Sequence, residues 1–223
     1  MAALRALIAG SSGLVGRACL DTLVAHPAYG RIVAFVRRPA GRTAPTLVER
    51  VMALDRLDDE PAEPVDHAFC ALGTTIRAAG SQEAFRRVDL EMVRSFAVFA
   101  RRSGASAFVL VSSVGADPRS RNFYLRVKGE AERTIMDLGF AGVYVLRPGV
   151  LIGARTEVRR GEALAQRLAP VLSLALQGPL RKYRGISAAT VGAAMVGAAR
   201  AGRPGTTVLH YEGIRGAAAR AAR

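Results

Sequence analysis

The sequence predicts an α/β fold: a doubly wound, mainly parallel sheet flanked by helices, in a single domain over residues 1–223. Three observations predict it. Short apolar runs alternate with helical patterns along most of the chain, the order that builds a parallel sheet with right-handed crossovers. The first apolar run stops at three evenly spaced glycines, Gly10, Gly13 and Gly16. Half of the 223 residues are hydrophobic, which suits one full core and leaves too little chain for a second domain.

Taken in order, Leu7-Ile8-Ala9 reads as the first strand, and Val15, Cys19 and Leu23 share one face of the helix that follows. Strand, glycine turn and helix form the opening unit of a dinucleotide site. Gly10 permits the turn, Gly13 lets the backbone approach a pyrophosphate, and Gly16 lets the helix pack against its strand. The helix start then offers free N–H groups to phosphate, so Ser12, Leu14 and Val15 join the three glycines as expected cofactor contacts. Residues 31–36 read as the second strand, ended by Arg37-Arg38-Pro39. In such a fold an acid near this point binds the ribose of NAD, and an arginine accommodates the 2′-phosphate of NADP. No Asp or Glu lies between Val33 and Arg42. Arg37 and Arg38 therefore point to NADP(H) and disfavour NAD(H).

Residues 39–45 are a Pro/Gly loop, and 47–54 a third strand ending at Asp55. The acidic stretch 58–64 is broken by prolines and reads as a solvated loop rather than paired catalytic carboxylates. Residues 66–72 form a fourth strand ending in Gly73-Thr74-Thr75. Ligands of a doubly wound sheet lie over the C-terminal strand ends, so Leu72, Gly73 and Thr74 are expected to border the cofactor. Residues 89–103 are a helix with Leu90, Val93, Ala97 and Ala100 at helical spacing, closed by Gly104. A fifth strand, 107–111, ends in Ser112-Ser113; a helix over about 121–138 carries Tyr124 and Lys128; a sixth strand, 143–146, ends in Arg147-Pro148-Gly149. Beyond an irregular stretch at 153–162, the pattern predicts a helix at 163–176 interrupted at Pro170, a helix at 186–199 and a strand at 206–211. From Gly213 it leaves a short helix or a frayed tail. Residues 151–205 are expected to contribute the substrate side.

The formal net charge is +14. Its basic residues come as scattered pairs such as Arg86-Arg87, Arg101-Arg102 and Arg159-Arg160, without a tract or aromatic interleaving, which argues against nucleic acid as a partner. No apolar run reaches the roughly 20 residues that span a bilayer. Cys19 and Cys70 sit in apolar segments and read as small buried hydrophobes. His26, His67 and His210 are too dispersed in sequence to suggest a metal site. The N-terminus contains arginine and has no acid before Asp21, as in a transit peptide. The same residues make the first strand and its turn, so a cytoplasmic location is expected. Hydrolase and kinase readings fail for want of Gly-x-Ser-x-Gly and of a lysine after a glycine-rich phosphate loop.

Tyr124 and Lys128 are four residues apart on a helix and share a face. A nearby ammonium stabilises the phenolate and draws its pKa down toward a working range. Such a tyrosine exchanges a proton with the oxygen of a carbonyl or alcohol while a nicotinamide moves the hydride. A serine hydroxyl at the strand end holds the same oxygen, and the lysine is within reach of the nicotinamide ribose.

In these features the chain resembles the short-chain dehydrogenases/reductases, an NAD(P)-binding Rossmann superfamily. The match is carried by Gly10-x-x-Gly13-x-x-Gly16, Arg37, Ser112-Ser113, Tyr124-x-x-x-Lys128 and Arg147-Pro148-Gly149. The runs 70–75, 108–116, 124–130 and 147–151 look closest to the atypical Tat-interacting-protein-like oxidoreductases. The resemblance implies that Ser113 rather than Ser112 joins Tyr124 and Lys128 in catalysis. It also implies that Pro148 and Val150 meet the nicotinamide end, with Ser112, Tyr124 and Lys128, and that Asp55 meets the adenine. Many members carry a further catalytic Asn on the helix before the fifth strand, where this chain has Val88-Asp89. The expected activity is reduction of a small carbonyl, or oxidation of an alcohol, with NADP(H). The alternatives are a nucleotide-sensing regulator with little turnover and an epimerase or dehydratase with tightly held cofactor. The short C-terminal part counts against a sugar-nucleotide epimerase.

Overall fold

The alternating apolar runs become a seven-stranded parallel sheet in a computed structural model, which describes residues 3–54, 57, 60–152 and 178–221. The strands are β1 (Leu4–Ala9), β2 (Tyr29–Val36), β3 (Leu47–Val51), β4 (His67–Cys70), β5 (Ala107–Val111), β6 (Gly142–Leu146) and, later in the chain, β9 (Gly205–Leu209). They lie in the order β3-β2-β1-β4-β5-β6-β9. The order reverses direction at β1, so the crevice between the ends of β1 and β4 is the place where such folds take a ligand.

The sheet is covered on both faces, as a parallel sheet must be. Successive residues of one strand point to opposite faces, and β1 shows it. Ala6 and Ile8 join one core with Ile32, Phe69 and Val109; Leu7 and Ala9 join the other with Val33, Phe35 and Phe108. The first face is closed by α1 (Leu14–Ala25), α6 (Ala188–Ala199) and α7 (Tyr211–Ala221), through Cys19, Leu20, Val191, Met195 and Ile214. The second is closed by α4 (Met92–Arg102) and α5 (Phe123–Met136), through Val93, Phe96, Val127 and Ile135. Gly192 lets α6 ride against α1, since a Cβ there would stand 2.5 Å from the Cys19 nitrogen. Both cysteines are fully buried, as their apolar settings predict, and burial pushes the Cys70 thiol up to about 12.

The differences from the sequence reading are local. The predicted helix at 89–103 is preceded by α2 (Ile76–Ala79), α3 (Gln82–Arg86) and a π-helical turn, Arg87–Glu91. Residues 186–187 are not helix. They form β8 (Ile186–Ser187), which pairs with β7 (Leu151–Ile152), and the Ser187 hydroxyl caps α6 by accepting from the Thr190 N–H. A 3₁₀ turn, Gly178–Tyr183, precedes it. The segment after Gly213 belongs to α7 rather than to a frayed tail. The predicted helix at 163–176 lies outside the described residues. No helix among the described residues is long and apolar enough to cross a membrane.

At the N-terminal ends of the strands, away from the crevice, the Tyr29 hydroxyl lies 2.8 Å from His67 Nδ1 in a buried pair. Arg200 stands 2.8 Å from His26 Nε2 nearby. Burial, with the Arg200 charge, holds both histidines below their ordinary pKa. The unfolded chain then binds protons first as pH falls, so stability should decline from about pH 6.5 downward. Urea unfolding at pH 7.5 and pH 5 is expected to show the loss, and His67→Gln to make it smaller. An unchanged pH dependence in that variant would remove His67 from the account.

Candidate active site

The C-terminal strand ends collect nearly every residue singled out in the sequence. After β1, Gly10 adopts φ +84, and a Cβ on it would stand 2.5 Å from the Ala71 backbone. A side chain at Gly16 would overlap the Gly10 carbonyl, whereas Gly13 has only that carbonyl oxygen within reach, at 3.4 Å. The first and third glycines are therefore steric necessities of the fold, and the second keeps an exposed backbone bare. Gly13 also caps α1 without a side-chain hydrogen bond, and the first turn carries no acid. This leaves the helix start open to an anion. The Val15 side chain is buried in the core and offers a ligand only its backbone; Leu14 is half-buried and Ser12 exposed.

After β2, Ser12, Val36, Arg37, Arg38, Pro39 and Ala40 line a cavity of about 570 Å³. The glycine turn and the two arginines thus face one space. Glu49 of β3 also reaches this loop, accepting from the Ala40 N–H at 3.1 Å. Sequence distance hid it, because its approach depends on β2 and β3 pairing in register. Asp55 lies outside the described residues.

After β4, Leu72 and Thr74 are half-buried and Gly73 is exposed. After β5, Ser112 is buried and Ser113 half-buried, with the Ser113 hydroxyl 3.4 Å from the Val114 carbonyl. Asn122 caps α5 by accepting from the Leu125 N–H, and the helix presents Tyr124 and Lys128. The Tyr124 ring packs tilted against Phe85, 5.5 Å between centroids. Lys128 is buried and ion-paired with Asp89, Nζ to Oδ1, at 2.7 Å. Burial opposes its charge, but the Asp89 carboxylate outweighs it and holds its pKa above the ordinary lysine value. Asp89 also accepts from the Thr74 N–H at 2.9 Å.

Two further site residues, besides Glu49, escaped the sequence reading. Glu132 lies one turn beyond Lys128 and takes Arg147 in a two-pronged pair at 2.9 and 2.5 Å, tying α5 to the end of β6. The 124, 128, 132 spacing was its signal. Gly129 brings α5 against the backbone of Asp117 and Pro118, where any side chain would clash; nothing in the local pattern marked it. Beyond β6, Pro148 is buried with its carbonyl accepting from the Val114 N–H at 3.0 Å. Val150 is 66% exposed. Residues 153–177, part of the expected substrate side 151–205, are outside the described residues. No group of His, Cys, Asp and Glu among the described residues could hold a metal.

No family model matches the chain. The fmp52 protein of Emericella nidulans is 38% identical over 171 residues, covering 73% of this chain and 73% of that protein. HTATIP2 of Rattus norvegicus is 37% identical over 165 residues, covering 72% and 68%. The chain belongs to the HTATIP2/Fmp52 family. Its fold is that of the short-chain dehydrogenases/reductases. MoeE5, solved with UDP-glucose and NAD, superposes with a TM-score of 0.69 at 18% identity, over 93% of this chain and 75% of that one. The human epimerase family protein SDR39U1, solved with NADPH, gives 0.64 at 18% identity, over 93% and 74%. The fungal members of the HTATIP2/Fmp52 family are named as mitochondrial proteins, which corrects the expectation of a cytoplasmic location. The expectation failed because it discounted the acid-free, arginine-containing start on the ground that these residues form β1 and its turn, which says nothing of where the chain is sent.

The glycine geometry makes a sharp comparison. Gly16→Ala should cost about 1–3 kcal/mol, as overpacking does, because α1 must move off the Gly10 carbonyl. Gly13→Ala should cost no more than about 1 kcal/mol, the weakness of alanine as an N-cap. Urea unfolding of both variants checks this, and equal losses would refute the division of roles.

Proposed function

We propose that this chain is an NADPH-dependent oxidoreductase of the short-chain dehydrogenase/reductase type, reducing a small carbonyl compound with Tyr124 as proton donor. The observation that carries the reading is the convergence on one sheet edge of a bare glycine turn, a cavity lined by Arg37 and Arg38, and α5 bearing Tyr124 one turn from the buried Lys128. The residues present fit a nicotinamide dinucleotide. The helix start and Gly13 would take the pyrophosphate, and Arg37 and Arg38 a 2′-phosphate. Gly73 and Thr74 would border the cofactor, and Pro148 and Val150 its nicotinamide end. Binding of NAD by MoeE5 and of NADPH by SDR39U1 agrees with this class of ligand.

When bound, the nicotinamide supplies the hydride for reduction and accepts it in the reverse direction. The chain supplies the proton. Ser113 donates a hydrogen bond to the substrate oxygen, and Tyr124 gives that oxygen its proton as the carbon takes the hydride. Lys128 stabilises the phenolate left behind and would be the group nearest Tyr124 to meet the cofactor's ribose. An epimerase that retains its cofactor is the second reading, favoured by the epimerase family name of SDR39U1; net NADPH consumption separates the two.

Calorimetric titration should give tighter binding of NADPH than of NADH. Arg37→Ala should weaken NADPH by about tenfold or more, the worth of a charged hydrogen bond, and leave NADH nearly unchanged. NADH binding as tight as NADPH would overturn the assignment of Arg37. Once a carbonyl screen yields a substrate, Tyr124→Phe should abolish its NADPH-dependent reduction while leaving cofactor affinity intact. Turnover at the native rate in that variant would remove Tyr124 from catalysis.

A further inference from the structure

Asp89 stands where the sequence departs from the family pattern, and its surroundings are unusual for a carboxylate. It has no exposed surface, and its partner Lys128 is only 6% exposed. One oxygen meets Lys128 Nζ at 2.7 Å and the other accepts from the Thr74 N–H at 2.9 Å. The residue sits within the π-helical turn 87–91 between α3 and α4. One residue added to an α-helix turns the following side chains by about 100°, and such insertions are frequent at functional sites. The pair lies directly beneath the exposed Gly73: a Cβ built there would be 3.4 Å from both Asp89 Oδ1 and Lys128 Nζ.

We propose that Asp89 is a positioning residue for proton transfer. It fastens Lys128 to the β4–α2 loop through Thr74, so that Tyr124 feels a balanced cation–anion pair instead of a lone ammonium. The proposal rests on the reading of Tyr124 and Lys128 given above. The ionisable groups that face Lys128 are Asp89, Tyr124 and Cys70. Cys70 is fully buried with its thiol pushed up to about 12, so at neutral pH it adds no charge. That leaves Asp89 as the anion that balances the ammonium. An asparagine at the same point would hold the loop through its amide oxygen and leave the ammonium unbalanced.

The test reads Tyr124 itself and needs no substrate. The cofactor-free chain is labelled at tyrosine Cζ with ¹³C, Tyr124→Phe assigns the resonance among the five tyrosines, and its pH midpoint is followed by NMR. Asp89→Asn should lower the midpoint by about one pH unit, because the ammonium acts unopposed. Lys128→Met should raise it by about as much, because a buried anion then stands alone near the phenol. The double variant Asp89→Asn/Lys128→Met, with both charges gone, should return close to the wild-type midpoint. If Asp89→Asn fails to fold, the difference between Lys128→Met and the double variant carries the same information. Equal midpoints in those two proteins, or an unmoved midpoint in a folded Asp89→Asn, would reduce Asp89 to a structural prop and overturn the proposal. Shifted midpoints in a protein that consumes no NADPH with any carbonyl would uphold Asp89 and overturn the hydride-transfer reading instead.

Discussion

A parallel sheet cannot leave a face in water, and most of this molecule follows from that constraint. Every strand needs a crossover to bring the chain back to the same end, and the crossovers other than the exposed β2–β3 loop deposit apolar side chains on one face or the other. The chain alternates accordingly, with odd and even residues of β1 assigned to different cores. The same constraint gathers the loops that follow β1, β2, β4, β5 and β6 at one edge. A glycine turn, an arginine-lined cavity, Ser113 and Pro148 become neighbours there although more than one hundred residues of chain separate the first from the last. The opposite edge, with Tyr29, His67, His26 and Arg200, is free to serve stability alone.

Within that edge the electrostatic centre is a buried pair. Removing one member of such a pair costs about 3–5 kcal/mol, because the other charge is left without compensation. Lys128 and Asp89 arrive from α5 and from the π-turn, and neither helix packs well unless both do. The Arg147–Glu132 pair repeats the device one turn along α5, where the Glu132 hydrogen bonds hold the guanidinium firmly charged against burial. A single helix thus presents Tyr124, Lys128 and Glu132 in a row, and two of the three are anchored by charge to separate parts of the sheet edge.

The fold was legible because its signals are redundant. Strand 107–111 is a continuous apolar run, and the glycine turn is recognisable by spacing alone. Catalytic candidates at strand ends and on α5 were legible for the same reason: their positions relative to strands carry the meaning. What the sequence hid depends on geometry acquired later. The two-residue β7 and β8 are too short to show alternation, so Ile186 and Ser187 looked like the first residues of α6. Gly129 matters through the backbone of Asp117 and Pro118, which only the folded chain brings near. Glu49 reaches the cofactor-side loop by strand pairing. Cellular location was misread because the residues that form β1 and its turn are governed by folding, and their composition says little about address.

The close approach of α6 to α1 at Gly192 has a consequence for how the chain acquires its shape. Cys19 and Ala18 lie near the start of the sequence, and the surface that covers them comes from residues about 170 positions later. Contacts of such high sequence separation are slow to form, since the intervening loop must close before they stabilise anything. The early βαβ units therefore have to assemble with one face of α1 still bare. That face, rather than the chemistry at the strand ends, is where chaperone contact and misassociation would concentrate while the chain is incomplete.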